Sequence, residues 1–178
     1  MADAVFMRAG RRFRATELAR GPWDPDAQHG GAPAALLMRE LELADGSPHL
    51  ALTRVTYEFL RPVPIGELEV HAEVVRPGRR VRLLEATLAA GGVEVARARA
   101  LQVKPAEVQG GDEDPEEPPD GPELGRPRDF HAPYRPMFYP DAVEIRFVSG
   151  SFGAGPCTAW LRLRAPIVAG EEPSPLQR

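Results

Sequence analysis

One cysteine, Cys157, in 178 residues excludes an internal disulfide and fits a reducing compartment. No apolar run approaches the ~18 residues that a membrane-spanning helix needs. The N-terminal stretch, broken by Arg8, Arg11, Arg12 and Arg14, has no signal-peptide core. Positive charge is in deficit, 22 basic against 26 acidic residues, so a net charge of −4 gives the chain no general affinity for nucleic acid. His49, His71 and His131 show no metal-ligand spacing, and neither a metal nor another cofactor is expected. These shortages leave a soluble, cytoplasmic protein with no membrane partner as the expectation.

What is present divides into three zones. Residues 1–104 alternate apolar and polar positions between turn signals and predict a first domain. Residues 105–129 are rich in proline and carry Glu107, Asp112, Glu113, Asp114, Glu116, Glu117, Asp120 and Glu123 with almost no large apolar side chain. Such a stretch buries too little surface to offset its ordering entropy and reads as a flexible acidic linker. Residues 130–178 return to strand-like patterning at Ala142 to Val148 and Thr158 to Leu163, as part of a second domain.

The first zone has a weak strand candidate at Phe13 to Leu18, then one convincing helix from Gly31 to Ala44. Pro33 is tolerated in its first turn, and Gly46 is a plausible terminator. The first half is apolar on every side (Ala34, Ala35, Leu36, Leu37, Met38), which predicts a buried helix. Four strands follow: Thr53 to Leu60, a run around Leu68 to Val74, Val81 to Ala90, and Val93 to Val103. Pro77-Gly78 and Gly91-Gly92 are the turns that make neighbouring strands antiparallel. Small residues at Ala96, Ala98 and Ala100 let a helix approach one face of the last strand. A strand, a buried helix and a run of antiparallel strands predict an α+β fold, a sheet wrapped around a central helix. Such a sheet leaves a face or an edge to be covered, so a homo-oligomer is expected.

Chemistry concentrates in Gly21-Pro-Trp-Asp-Pro-Asp-Ala-Gln-His-Gly-Gly31, which leads straight into the helix. Gly30 and Gly31 let backbone come close to a ligand, where free N–H groups and the helix dipole polarise a carbonyl. Gln28 and His29 stand beside it, His29 as a possible proton carrier. The same spacing also serves a plain loop with His29 as a helix cap. Asp24, Asp26 and Glu58 are the carboxylates in reach, although Asp24 and Asp26 flank Pro25 as turn residues do. Cys157 has no basic neighbours in sequence and reads as a structural thiol.

The stretch Gln28-His-Gly-Gly-Ala-Pro-Ala-Ala-Leu-Leu37 resembles the helix entrance of hot-dog thioesterases, in particular the type II acyl-CoA thioesterase-like proteins with two hot-dog units. Tyr57-Glu-Phe-Leu-Arg-Pro-Val-Pro-Ile-Gly66, Arg76-Pro-Gly-Arg-Arg-Val81 and Val95-Ala-Arg-Ala-Arg-Ala100 resemble the same family in the same order. Trp160-Leu-Arg-Leu-Arg-Ala-Pro166 is similar to the opening of the second unit. The resemblance implies hydrolysis of acyl-CoA to a free acid and CoA, with Gly30 and Gly31 at the thioester carbonyl and Gln28 and His29 lining the site. It further implies an acyl chain beside Leu36, Tyr57 and Phe59, with Arg61, Arg79, Arg80 and Arg82 as cations for CoA phosphates. Two departures accompany it. Leu37, Met38 and Arg39 occupy the place where single-unit relatives carry a helix acid. The catalytic Asp of the two-unit relatives falls beyond the last residue, which reads as a truncated second unit. A hot-dog enoyl-CoA hydratase, using Asp24 and His29, and a non-catalytic acyl-CoA binding module are the competing expectations.

Overall fold

The computed structural model describes residues 3–45, 47, 49–107, 117–128 and 134–177. Gly46 and His131 lie outside the described residues, as does the most acidic part of the expected linker. The strands are β1 (Phe6–Ala9), β2 (Arg12–Ala15), β3 (Ala51–Phe59), β4 (Glu67–Arg76), β5 (Val81–Ala90) and β6 (Val93–Val103), followed by β7 (Arg126–Pro127), β8 (Val143–Ser149) and β9 (Thr158–Leu163). The helix α1 spans Gly31–Ala44.

The α+β expectation holds. The first six strands form one antiparallel sheet in the order β1-β2-β4-β5-β6-β3, and α1 packs across β4, β5 and β6. The alternation that predicted the strands also sets the face that α1 covers. Ala96, Ala98 and Ala100 of β6 stand beside Leu88, Ala86 and Leu84 of β5, all buried. With so little side chain in that row, the helix settles onto the sheet and buries Ala32, Leu36, Leu37 and Leu41. Gly91 and Gly92 join β5 to β6 with φ of +56° and +77°. A two-residue hairpin turn of this twist needs positive φ at both central positions.

Three sequence expectations need correction. β1 is an unexpected strand, since only Phe6 of its four residues is buried and no alternation betrays it. The strand expected at Phe13 to Leu18 ends at Ala15, because Thr16 Oγ1 accepts from Leu18 N–H at 3.2 Å and opens a tight turn over Glu17–Ala19. The acidic segment is not loose chain to its end. β7 pairs with β8, and Trp160 Nε1 donates to Asp120 O at 2.7 Å.

β7, β8 and β9 form a second, smaller antiparallel sheet, and the chain beyond it returns to the first. Val5 N–H donates to Pro166 O at 3.0 Å and Phe6 N–H to Ile167 O at 2.8 Å, so residues 166–169 run beside β1. Glu171 then meets Arg39 of α1 in a two-pronged ion pair at 2.5 and 2.6 Å. Burial acts to lower the Arg39 pKa, but the hydrogen bonds and charges of Glu171 and Glu40 outweigh it and raise the pKa.

Candidate active site

The loop before α1 is closed by its own backbone. Gly21 N–H donates to Ala27 O at 2.9 Å, and Asp26 N–H to Asp24 Oδ1 at 2.9 Å. Further bonds fix it to the body: His29 N–H to Ala19 O and Gln28 N–H to Val63 O, both 2.8 Å, and Ile65 N–H to Asp26 O at 2.7 Å. Trp23 is left at the tip, 81% exposed, with its ring against His29.

Two groups at the base of this loop face inward. Gln28 is 8% exposed, and its Nε2 donates to Pro64 O at 2.7 Å. A proline carbonyl accepts only, which fixes the amide orientation and leaves Oε1 as a buried acceptor without a partner among the described residues. The imidazole of His29 lies between Trp23 and Phe138, with centroids at 5.9 and 5.3 Å, and Tyr139 meets it edge-on at 4.5 Å. Its Nδ1 accepts from Gly31 N–H at 3.1 Å, so the ring is neutral with its proton on Nε2. Burial pushes the His29 pKa below 6.5, in keeping with that tautomer.

The free donors of the helix end are thereby divided. Gly31 N–H is taken by His29, and Ala32 N–H bonds His29 O at 2.9 Å. Gly30 N–H has no partner among the described residues. A Cβ on Gly31 would stand 2.8 Å from Phe138 Cε1, so this glycine is what lets the aromatic ring sit over the helix end. Beside it opens a cleft of about 260 Å³, floored by Gly31, Ala34, Ala35 and Met38 and walled by Tyr57 and Phe138.

Residues 19–103, the part of the chain that holds this loop and helix, match the family model of the acyl-CoA thioesterase N-terminal domain. This unit belongs to the hot-dog thioesterase family. Solved hot-dog structures agree on the fold. A conserved hot-dog protein from Alicyclobacillus acidocaldarius superposes with a TM-score of 0.65 at 20% identity, over 91% of this chain and 61% of its own. A candidate thioesterase II from Thermobifida fusca YX gives 0.58 at 26%, over 80% and 53%. A candidate thioesterase from Novosphingobium aromaticivorans gives 0.59 at 21%, over 90% and 65%. The chain thus spans between about half and two thirds of these structures. A 54-residue stretch is 35% identical to an adenine phosphoribosyltransferase of Alkaliphilus metalliredigens, over 30% of this chain and 32% of that one. That is too short to bear on the family.

Within the hot-dog unit the expected site residues separate. Gln28, His29, Gly30 and Gly31 come together at the helix entrance, and Tyr57 lines the cleft. Leu36 is fully buried against the sheet, because it projects from the opposite side of α1 to Ala34, Ala35 and Met38. Phe59 is half exposed and lies near Gly30. Arg61 is exposed and does not line the cleft. Asp24 and Asp26 are exposed on the turn, Asp24 holding it closed, and neither hydrogen-bonds to His29 among the described residues. Glu58 pairs with Arg97 at 3.0 Å on the other face of the sheet. Phe138 and Tyr139 were not anticipated. The aromatic run Met137-Phe-Tyr-Pro140 was the available signal, but nothing in its own neighbourhood points back to residue 29.

Proposed function

We propose that this protein hydrolyses acyl-CoA thioesters to a free acid and CoA at the entrance of α1. The observation that carries the reading is the unpartnered Gly30 N–H at the head of a 14-residue helix, next to an apolar cleft. A thioester carbonyl received there gains a donor and the positive end of the helix dipole as its oxygen becomes an oxyanion. Gln28 Oε1, buried and unpartnered, accepts a hydrogen from the attacking water. As the new C–O bond forms and the C–S bond breaks, the neutral His29 donates a hydrogen bond from Nε2 to the departing sulfur, and the proton released by the water passes to that thiolate. A carboxylate to strengthen the water is assigned to a partner unit, since none hydrogen-bonds to Gln28 or His29 among the described residues.

The test is release of free thiol from a panel of acyl-CoAs by the full chain and by a Gln28→Ala/His29→Ala variant. Turnover should fall roughly 10²–10⁴-fold in the variant, the usual worth of positioned acid–base groups. Turnover that survives both substitutions removes these residues from the chemistry. Arg39 favours a second reading, an acyl-CoA binding module without turnover, because an ion-paired guanidinium occupies the helix position where single-unit relatives carry an acid. Tight binding with no thiol release would select it.

Residues 130–178 are read as the start of a second hot-dog unit after a linker at 105–129. The free edge of β3, nine residues long, is the edge through which two copies would pair their sheets. Among the described residues no helix is long and apolar enough to cross a membrane. A cytoplasmic location fits the proposed substrate and the exposed thiol of Cys157.

A further inference from the structure

One side of α1 changes character along its length. Gly31, Ala34, Ala35 and Met38 fall at helical spacing on a single face and floor the cleft. The next position on that face is Glu42, and it is not open. Ser174 Oγ donates to its carboxylate at 2.8 Å and Gln177 Nε2 at 2.6 Å. Leu176 and Gln177 also line the cleft, so the returning chain closes its far end with a polar knot. The near end is bounded by Phe138 and Tyr139 at the carbonyl position.

We propose that this bounded cleft selects acyl chains of about eight carbons, with Ala34 and Ala35 setting its width and the Glu42–Ser174–Gln177 contact setting its length. The inference rests on the thioesterase reading for the direction of the chain, from Gly31 toward Glu42. The length of the floor sets the size. The floor from Gly31 to Met38 is seven residues, roughly 10 Å at 1.5 Å per residue. An extended chain advances roughly 1.3 Å per carbon, given C–C bonds of about 1.5 Å at tetrahedral angles, so roughly eight carbons fit. A chain that runs on past Met38 must displace hydrogen bonds from a carboxylate and put methylenes against it.

The experiment is a chain-length profile of kcat/KM for acetyl-, hexanoyl-, octanoyl-, dodecanoyl- and hexadecanoyl-CoA, on the wild type, Ala35→Phe and Glu42→Leu. The expected wild-type optimum is octanoyl, with hexadecanoyl at least tenfold lower. Ala35→Phe fills the floor and moves the optimum to shorter chains. Glu42→Leu removes the polar stop and moves it to longer ones, a gain that a misfolded variant cannot produce. Turnover that is flat with length, or that rises to hexadecanoyl-CoA in the wild type, overturns the chain-length assignment and leaves the thioesterase reading standing. Absence of thiol release from every substrate sinks the thioesterase reading instead. The cleft is then tested by calorimetric titration with the thioethers S-octyl-CoA and S-hexadecyl-CoA. Octyl binding at least tenfold tighter, reversed in Glu42→Leu, upholds the assignment, and equal affinities end it.

Discussion

The charge state of His29 is set by burial and by the donor aimed at its Nδ1. Trp23, Phe138 and Tyr139 surround the ring and Gly31 N–H points at Nδ1, so protonation forfeits a hydrogen bond and buries a charge. The folded pKa is therefore below the unfolded value of 6.5. The unfolded chain then binds a proton in a range where the folded one does not, and stability falls as pH drops below about 6.5, levelling off once pH is below the folded pKa. The fall should be visible as a declining Tm between pH 7.5 and 5.5 and should be shallower in His29→Gln. Equal slopes would place the imidazole in water. At this scale the sequence was a partial guide. Gln28-His-Gly-Gly31 was legible as a helix entrance because glycines and a capping group are local features. The aromatic cage was not, since Phe138 lies more than 100 residues away and reaches His29 only through tertiary packing.

The helix α1 was foreseen to the residue at both ends, because an all-round apolar stretch with Pro33 in its first turn has few other readings. What its pattern does not show is that Arg39, beyond the apolar half, is buried as well. The pair that makes this tolerable is lopsided: the Arg39 side chain is 5% exposed and that of Glu171 34%. Removing the arginine leaves a carboxylate that turns to solvent. Removing the carboxylate leaves a buried guanidinium beside Glu40 and the face of Phe13. Glu171→Ala is expected to cost about 1.5–3 kcal/mol in urea unfolding, the range for hydrogen bonds to charged groups. Arg39→Met should cost less, and the double variant less than the two summed. The reverse order would mean that the aliphatic stem of Arg39, not its charge, is what α1 needs.

Over the whole molecule, the way residues 166–177 meet the first sheet could not be read from composition. Residues 166–177 bond to β1 and to α1, contacts between positions about 160 and 130 apart that leave no mark on local periodicity. Among the described residues β3, nine residues long, ends the six-stranded sheet with no strand beyond it, and pairing that edge with another copy is the simplest way to satisfy it. Light scattering should give a mass twice the 19.4 kDa of one chain. A monomer at micromolar concentration would refute the edge pairing.

The contact between β1 and residues 166–169 also has a meaning in time. A ribosome delivers Phe6 well before Ile167, roughly 8–30 s earlier at about 5–20 residues per second. Throughout that interval β1 has β2 on one side and an open edge on the other. The nascent chain therefore carries an unprotected strand until residues 166–169 emerge, and these then close that edge.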